Sequence, residues 1–126
     1  MIRGIGTDII DVKRIRASIL RSPAFQKRVF SDNEITYCDE AKGRMRFERY
    51  AGRFAAKEAF LKACGTGLSG PFRFNEITVT HTPLKQPEIT LMGQTAVTFQ
   101  QTLGGKMFLS LSHLPQYAIA TVLIEK

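Results

Sequence analysis

From Arg44 to Cys64 the chain carries one sustained helical repeat. Phe47, Tyr50, Ala51, Phe54, Ala55 and Leu61 recur at the i, i+3, i+4 spacing that gathers apolar side chains on one face. Glu58 falls on that same face, whereas Arg46, Arg49, Arg53 and Lys57 fall on the opposite one. The pattern predicts a helix over 44–64, closed by Gly65 just past its end, with a carboxylate on the apolar side. A buried carboxylate is unfavourable unless a cation or a hydrogen-bond donor compensates it, so Glu58 requires a partner.

The rest of the chain reads as shorter elements. Ile2, Ile5, Ile9 and Ile10 predict a strand over 2–10, with Gly4 and Gly6 allowing another backbone to come close. A basic helix follows from about Asp11 to Arg21, and Ser22-Pro23 has the form of a cap and first residue for a short helix through Phe30. Ser31-Asp-Asn-Glu34 fits a capping box opening a third helix to about Glu40, and Lys42-Gly43 makes a loop. Beyond Gly65 the period shortens. Strands are predicted over Asn75–His81, with Ile77 and Val79 sharing a face, and over Pro87–Met92. A helix over Gly93–Leu103 precedes a hairpin of Met107–His113 and Tyr117–Glu125 about the Leu-Pro-Gln turn. The fold class is α+β: a single domain over 1–126, with an antiparallel sheet packed against a long helix and shorter helices.

Charge changes this picture more by its placement than by its total. Residues 1–62 hold 14 Lys and Arg against 8 Asp and Glu, and residues 63–126 hold 4 against 3, so nearly all of the net +7 lies in the first half. Such asymmetry fits either an acidic or phosphate-rich partner or a solubilising surface. On the first two helices Arg14, Ser18, Arg21, Phe25 and Arg28 recur at heptad-like spacing. An apolar anchor ringed by arginines is a footprint for an acidic helical partner. A small nucleic-acid-binding domain is the rival reading, but Phe47, Tyr50 and Phe54 fall on the helix side opposite the arginines rather than among them, so no nucleic-acid partner is expected. No run of about 18 apolar residues occurs, and the first residues lack a basic stretch followed by an apolar one. Together with two isolated cysteines, Cys38 and Cys64, this predicts a cytoplasmic protein with reduced thiols and no membrane partner.

Three short segments could carry chemistry. Gly65-Thr-Gly-Leu-Ser-Gly70 matches G-x-G-x-x-G, but a dinucleotide fingerprint leaves a strand and opens a helix, and these glycines leave a helix. A helix cap and turn is the better reading, with backbone N–H groups and the nearby Lys62 within reach of a phosphate. Asp8 ends an otherwise small and apolar strand segment; with Glu58 it offers two hard oxygen ligands of the kind that hold magnesium beside phosphates. His113 closes Ser110-Leu-Ser-His113 at a strand end, where it suits either a phosphate contact or a plain turn, and His81 lies within an ordinary strand. No H-E-x-x-H or G-x-S-x-G motif is present.

Taken in order, Gly4-Ile-Gly-Thr-Asp8, Arg53-Phe-Ala-Ala-Lys-Glu58-Ala-Phe-Leu-Lys62-Ala, Gly65-Thr-Gly67 and Ser110-Leu-Ser-His113 resemble the holo-[acyl-carrier-protein] synthase family, the short bacterial-type 4′-phosphopantetheinyl transferases. The resemblance implies transfer of 4′-phosphopantetheine from coenzyme A to a serine of apo acyl carrier protein, releasing adenosine 3′,5′-bisphosphate, in support of fatty acid biosynthesis. It implies Mg²⁺ held by Asp8 and Glu58, with Lys62 as a third catalytic group on a phosphate. It places Arg53, Gly65, Pro87 and His113 near the nucleotide, and Arg14, Arg21, Phe25 and Arg28 against the carrier protein. It also implies a homotrimer with active sites between subunits. The chain departs from the family pattern at Leu84-Lys-Gln-Pro87, where the family often has Gly-Lys-Pro, so no role is carried over to Lys85.

Overall fold

A computed structural model describes residues 1–126. β1 (Ile2–Asp11) leads into α1 (Val12–Arg21), α2 (Pro23–Val29), α3 (Asp32–Glu40) and the long α4 (Arg44–Cys64). A short 3-10 turn at Phe74–Glu76 then opens β2 (Ile77–His81), followed by β3 (Pro87–Leu91), α5 (Gly93–Thr102), β4 (Lys106–His113) and β5 (Tyr117–Glu125). The mixed α+β architecture agrees with the sequence reading, but its strands form two pieces. One is a three-stranded antiparallel sheet in the order β1–β5–β4; the other is the antiparallel pair β2–β3. The alternation read from Asn75 begins at Ile77, because Phe74–Glu76 is wound into the turn.

The helix starts are set by side chains visible in the sequence. Asp11 caps α1 through Lys13 N–H at 2.9 Å, and Ser22 caps α2 through Phe25 N–H at 3.1 Å with Pro23 in the first turn. Ser31 and Glu34 form the full capping box, with Ser31 N–H donating to Glu34 at 3.0 Å and Glu34 N–H to Ser31 at 3.3 Å. α4 ends where Gly65 takes a left-handed φ of 75°, and Thr66 N–H reaches back to the Leu61 carbonyl at 3.2 Å.

α4 runs through the middle of the molecule. Ala55, Ala59, Phe60 and Leu61 pack with β2, β5 and Phe99 in one apolar cluster, while Phe47, Tyr50 and Ala51 pack with α1, Phe30 and Cys38 in another. With both sides covered, the expected division into an apolar and a charged face fails. Lys57 is fully buried and Arg53 is 5% exposed, whereas Glu58 is only partly covered. The aromatics are not segregated from the arginines either. The Arg46 guanidinium lies 5.0 Å from the centre of the Phe47 ring, and those of Arg49 and Arg53 lie 4.1 and 4.2 Å from that of Tyr37.

Lys57 is therefore the buried charge that most needs compensation, and all three of its donors are used. Its ammonium donates to Glu34 Oε1 at 2.7 Å, to the Phe74 carbonyl at 2.8 Å and to the Ile77 carbonyl. Glu34, itself 1% exposed, also accepts Val79 N–H at 2.9 Å through Oε2. Burial pushes the Lys57 ammonium below the usual lysine range, and the neighbouring Glu34 opposes that shift. The pair thus ties α3, α4 and the start of β2 together.

Lys57→Met strands a buried carboxylate and is expected to cost roughly 3–5 kcal/mol in urea unfolding. Adding Glu34→Gln, which removes the stranded charge but keeps an acceptor oxygen for only one of the two backbone N–H groups, should recover part of that loss. A single variant as stable as the parent would remove the pair from this role.

Candidate active site

Gly4 and Gly6 bring β1 against α4 with no clearance. A Cβ on Gly4 would stand 1.9 Å from the Ala63 carbonyl oxygen, and one on Gly6 would stand 2.1 Å from that of Ala59. This contact lays the inward-facing residues of β1 along α4, and Asp8 is the next of them. Lys62 answers from the helix, donating to Asp8 Oδ1 at 2.9 Å and to the Thr7 carbonyl at 3.0 Å. The side chain of Asp8 is 11% exposed and its Oδ2 is buried without a hydrogen-bond partner.

Glu58 shares this corner. Asp8 and Glu58 line a depression of about 360 Å³ with Arg14, Ser18, Phe25 and Phe54. A larger groove of about 560 Å³ continues from Glu58 past Phe25, Arg28, Phe54 and Phe74. The Glu58 carboxyl is raised above the usual glutamate value by burial first and then by the charge of Asp8, with Lys62 opposing. Asp11 also lines the depression but is engaged as the α1 cap by Lys13 N–H, and no cluster of three acids, histidines or cysteines forms there. Two acids with an unsatisfied buried oxygen and mutual repulsion suit a hard divalent cation whose other ligands come from water and a phosphate.

The remaining nucleotide-side expectations fall elsewhere. Arg53, Pro87 and His113 line a second depression of about 260 Å³, separate from the acid pair, between α4, β3 and the end of β4. Gly65 closes α4 three residues past Lys62 and lines neither of these. On the basic helices Arg14, Phe25 and Arg28 border the acid corner or its groove, while Arg21 is exposed at the end of α1. Lys85 holds a left-handed φ of 65° in the β2–β3 turn, its N–H bound to the Thr82 carbonyl at 2.8 Å, and Pro87 rather than Lys85 borders the second depression.

Several residues of that depression had no signal in the sequence. Glu48 pairs with His113 at 3.0 Å. Tyr37 lies under Arg53 and beside His81, with ring centres 4.9 Å apart for the two rings. His81, which the sequence marks only as an ordinary strand residue, is held below the usual histidine range by partial burial and by Arg53 and Arg49. The helical spacing of Arg49 and Arg53 marked them as surface cations only, since nothing local announces that Tyr37 and His81 fold over them.

Two carboxylates at one opening of α4 and the cationic depression of Arg49, Arg53 and His113 at another both suit phosphate-bearing ligands. The family model for the 4′-phosphopantetheinyl transferase superfamily matches residues 4–122. The holo-[acyl-carrier-protein] synthase of Koribacter versatilis is 40% identical over 126 residues, covering 99% of each chain. The solved structure of the Neisseria meningitidis synthase superposes with a TM-score of 0.89 at 35% identity, covering 100% of both chains. That of the Bacillus anthracis synthase, in complex with CoA (3′,5′-ADP), gives 0.81 at 34% identity, covering 98% of this chain and 96% of that one. The chain belongs to the holo-[acyl-carrier-protein] synthase family of 4′-phosphopantetheinyl transferases.

The raised Glu58 carboxyl has a stability consequence of definite sign. The folded state prefers the protonated form, so its contribution is present below the ordinary value of 4.5 and lost as pH rises through the higher folded value. Glu58→Gln is therefore expected to raise the thermal midpoint in metal-free buffer at about pH 7.5 and to change it little at about pH 4. A midpoint lowered at neutral pH would show that Glu58 is held by a favourable pair instead.

Proposed function

We propose that this enzyme transfers 4′-phosphopantetheine from coenzyme A to a serine of apo acyl carrier protein, with Mg²⁺ held by Asp8 and Glu58, and releases adenosine 3′,5′-bisphosphate. The observation that carries the reading is the acid corner, where Asp8 Oδ2 is buried without a partner beside a Glu58 whose ionised form is disfavoured. Its relatives from Bacillus anthracis and Helicobacter pylori have been solved with coenzyme A, which supports the donor substrate.

Each residue has a physical task. Asp8 and Glu58 would hold the metal against the diphosphate of coenzyme A; the metal supplies charge neutralisation of the leaving phosphate. Lys62, half-exposed and now paired with Asp8, supplies a mobile ammonium that can turn to a phosphate oxygen once Asp8 has another cation. Arg14, Arg21, Phe25 and Arg28 offer the acidic carrier protein a basic surface with an apolar anchor, and Arg14, Phe25 and Arg28 border the acid corner or its groove. In-line attack by a serine hydroxyl that the carrier places over that corner forms the new P–O bond as the bond to the leaving adenosine 3′,5′-bisphosphate breaks, the serine proton passing to water. Such a reaction supports fatty acid biosynthesis, and cytoplasmic residence fits its substrates. No helix is long and apolar enough to cross a membrane.

Two features support a homotrimer with sites between subunits. Ile5, Ile9, Phe108 and Ile119 are exposed on the outer face of the three-stranded sheet, where β1 pairs with β5 and β5 with β4. An antiparallel sheet that is apolar on both faces calls for cover, and copies of the chain can provide it. The acid corner and the Arg53–Pro87–His113 depression are also separate within one chain, so a neighbour's depression would complete each site.

Incubating the protein with coenzyme A, Mg²⁺ and apo carrier protein, then weighing the carrier, tests the assignment directly. A carrier whose mass does not increase sinks it. Asp8→Asn and Glu58→Gln are expected to lower the transfer rate by roughly 100-fold or more and to abolish the rise in thermal midpoint that Mg²⁺ gives the parent. Ile119→Glu should yield a smaller particle in sedimentation with little transfer activity; a trimer that survives this change would place the interface elsewhere.

A further inference from the structure

Glu48 is the one acid in the wall of the depression that holds Arg49, Arg53 and His113. It is 5% exposed, and His113 Nδ1 lies 3.0 Å from its Oε1. Its Oε2 has no hydrogen-bond partner; Arg44 Nε is 3.7 Å away, an ion pair by distance from a side chain that is mostly in solvent. One helical turn on, Gly52 forms part of the same wall, and a Cβ there would meet nothing within 4 Å. A glycine inside a helix costs roughly 1 kcal/mol relative to alanine, and packing does not demand one at this position. The depression is therefore open at Gly52 and cationic around it, and Arg53 Nε is buried there without a partner. These are the marks of a ligand site rather than of a packing gap.

An ionised carboxylate only accepts, so Nδ1 is the nitrogen of His113 that carries the proton towards Glu48. The imidazole is then fixed from one side, and Nε2 is left for a ligand. A phosphate oxygen also only accepts, so a ligand-bound imidazole donates from both nitrogens, to Glu48 and to the phosphate. Coenzyme A carries two phosphate groups of this kind: the reacting diphosphate, which the acid corner and Lys62 suit, and the 3′-phosphate on its ribose.

We propose that Glu48 is a positioning residue for His113, aiming its Nε2 at the 3′-phosphate of the nucleotide, so that the pair and not His113 alone sets the preference for a 3′-phosphorylated ligand. This rests on coenzyme A being the donor, as proposed above. It also reaches beyond that reading, because nucleotide binding can be measured without transfer.

The test is calorimetric titration of the assembled protein with adenosine 3′,5′-bisphosphate and with adenosine 5′-monophosphate. The parent should prefer the bisphosphate. Glu48→Leu should reduce that preference by about 10- to 100-fold, the worth of one charge-assisted hydrogen bond, while Glu48→Gln, whose side-chain carbonyl still accepts from Nδ1, should restore most of it. In the His113→Ala background Glu48→Leu should have no further effect on the ratio, which a merely structural role would not produce. A ratio unchanged in Glu48→Leu, a Glu48→Gln as impaired as Glu48→Leu, or additive effects with His113→Ala would each overturn the proposal. Failure of phosphopantetheine transfer by a parent that still prefers the bisphosphate would instead overturn the transferase reading and leave the pair in place.

Discussion

Everything at the acid corner depends on how closely β1 can approach α4. Gly4 and Gly6 leave no room for a single added carbon against the carbonyls of Ala63 and Ala59, and the alanines in turn keep the helix surface low. Backbone-to-backbone contact of this kind admits small residues only. It determines how far along the helix Asp8 falls, and therefore that an acid on a strand and one on a helix, 50 positions apart in the chain, line one depression. A larger residue at either glycine would push the strand out and part the two carboxylates before touching either of them.

α4 is held on its other flank by a different kind of interaction. Lys57 and Glu34 form a buried ion pair in which every ammonium proton is used and the carboxylate is shared with backbone N–H groups of α3 and β2. The desolvation cost of such a pair makes it a poor source of net stability, but removing either partner is severe, so it enforces one arrangement of three elements. The Phe74 carbonyl is one of its acceptors, which places the far wall of the groove that begins at Glu58. The adjacent residues Lys57 and Glu58 thus serve opposite ends: the first spends its charge inside the fold, and the second keeps its charge available at the surface of a cleft.

The placement of the residues of the second depression follows from the same central helix. Because α4 is packed on both flanks, the polar side chains of its middle and last turns reach two separated openings. Glu58 and Lys62 reach one of them, and Glu48, Arg49 and Arg53 reach the other. The two openings are separate within one chain, and the outer face of the three-stranded sheet exposes Ile5, Ile9, Phe108 and Ile119.

Local signals in the sequence determined most of the elements. Asp11, Ser22 and the Ser31–Glu34 box start their helices as read, Gly65 ends α4, and the later strands and α5 follow their periodicities to within a few residues. The ordered motifs likewise determined the family. These are properties of residues near one another in the chain, where capping geometry and side-chain period act directly. What only the tertiary structure decided is which charges are buried. Helical spacing placed Glu58 inside and Lys57 and Arg53 outside, and the fold does nearly the reverse, because a helix covered on two sides has no polar face for a periodicity to mark. The capping-box glutamate gave no sign of accepting from Lys57 23 residues away, nor Glu48 of holding His113 65 residues away. Those partners are chosen by the packing of strands against α4, and spacing along the chain carries no record of it.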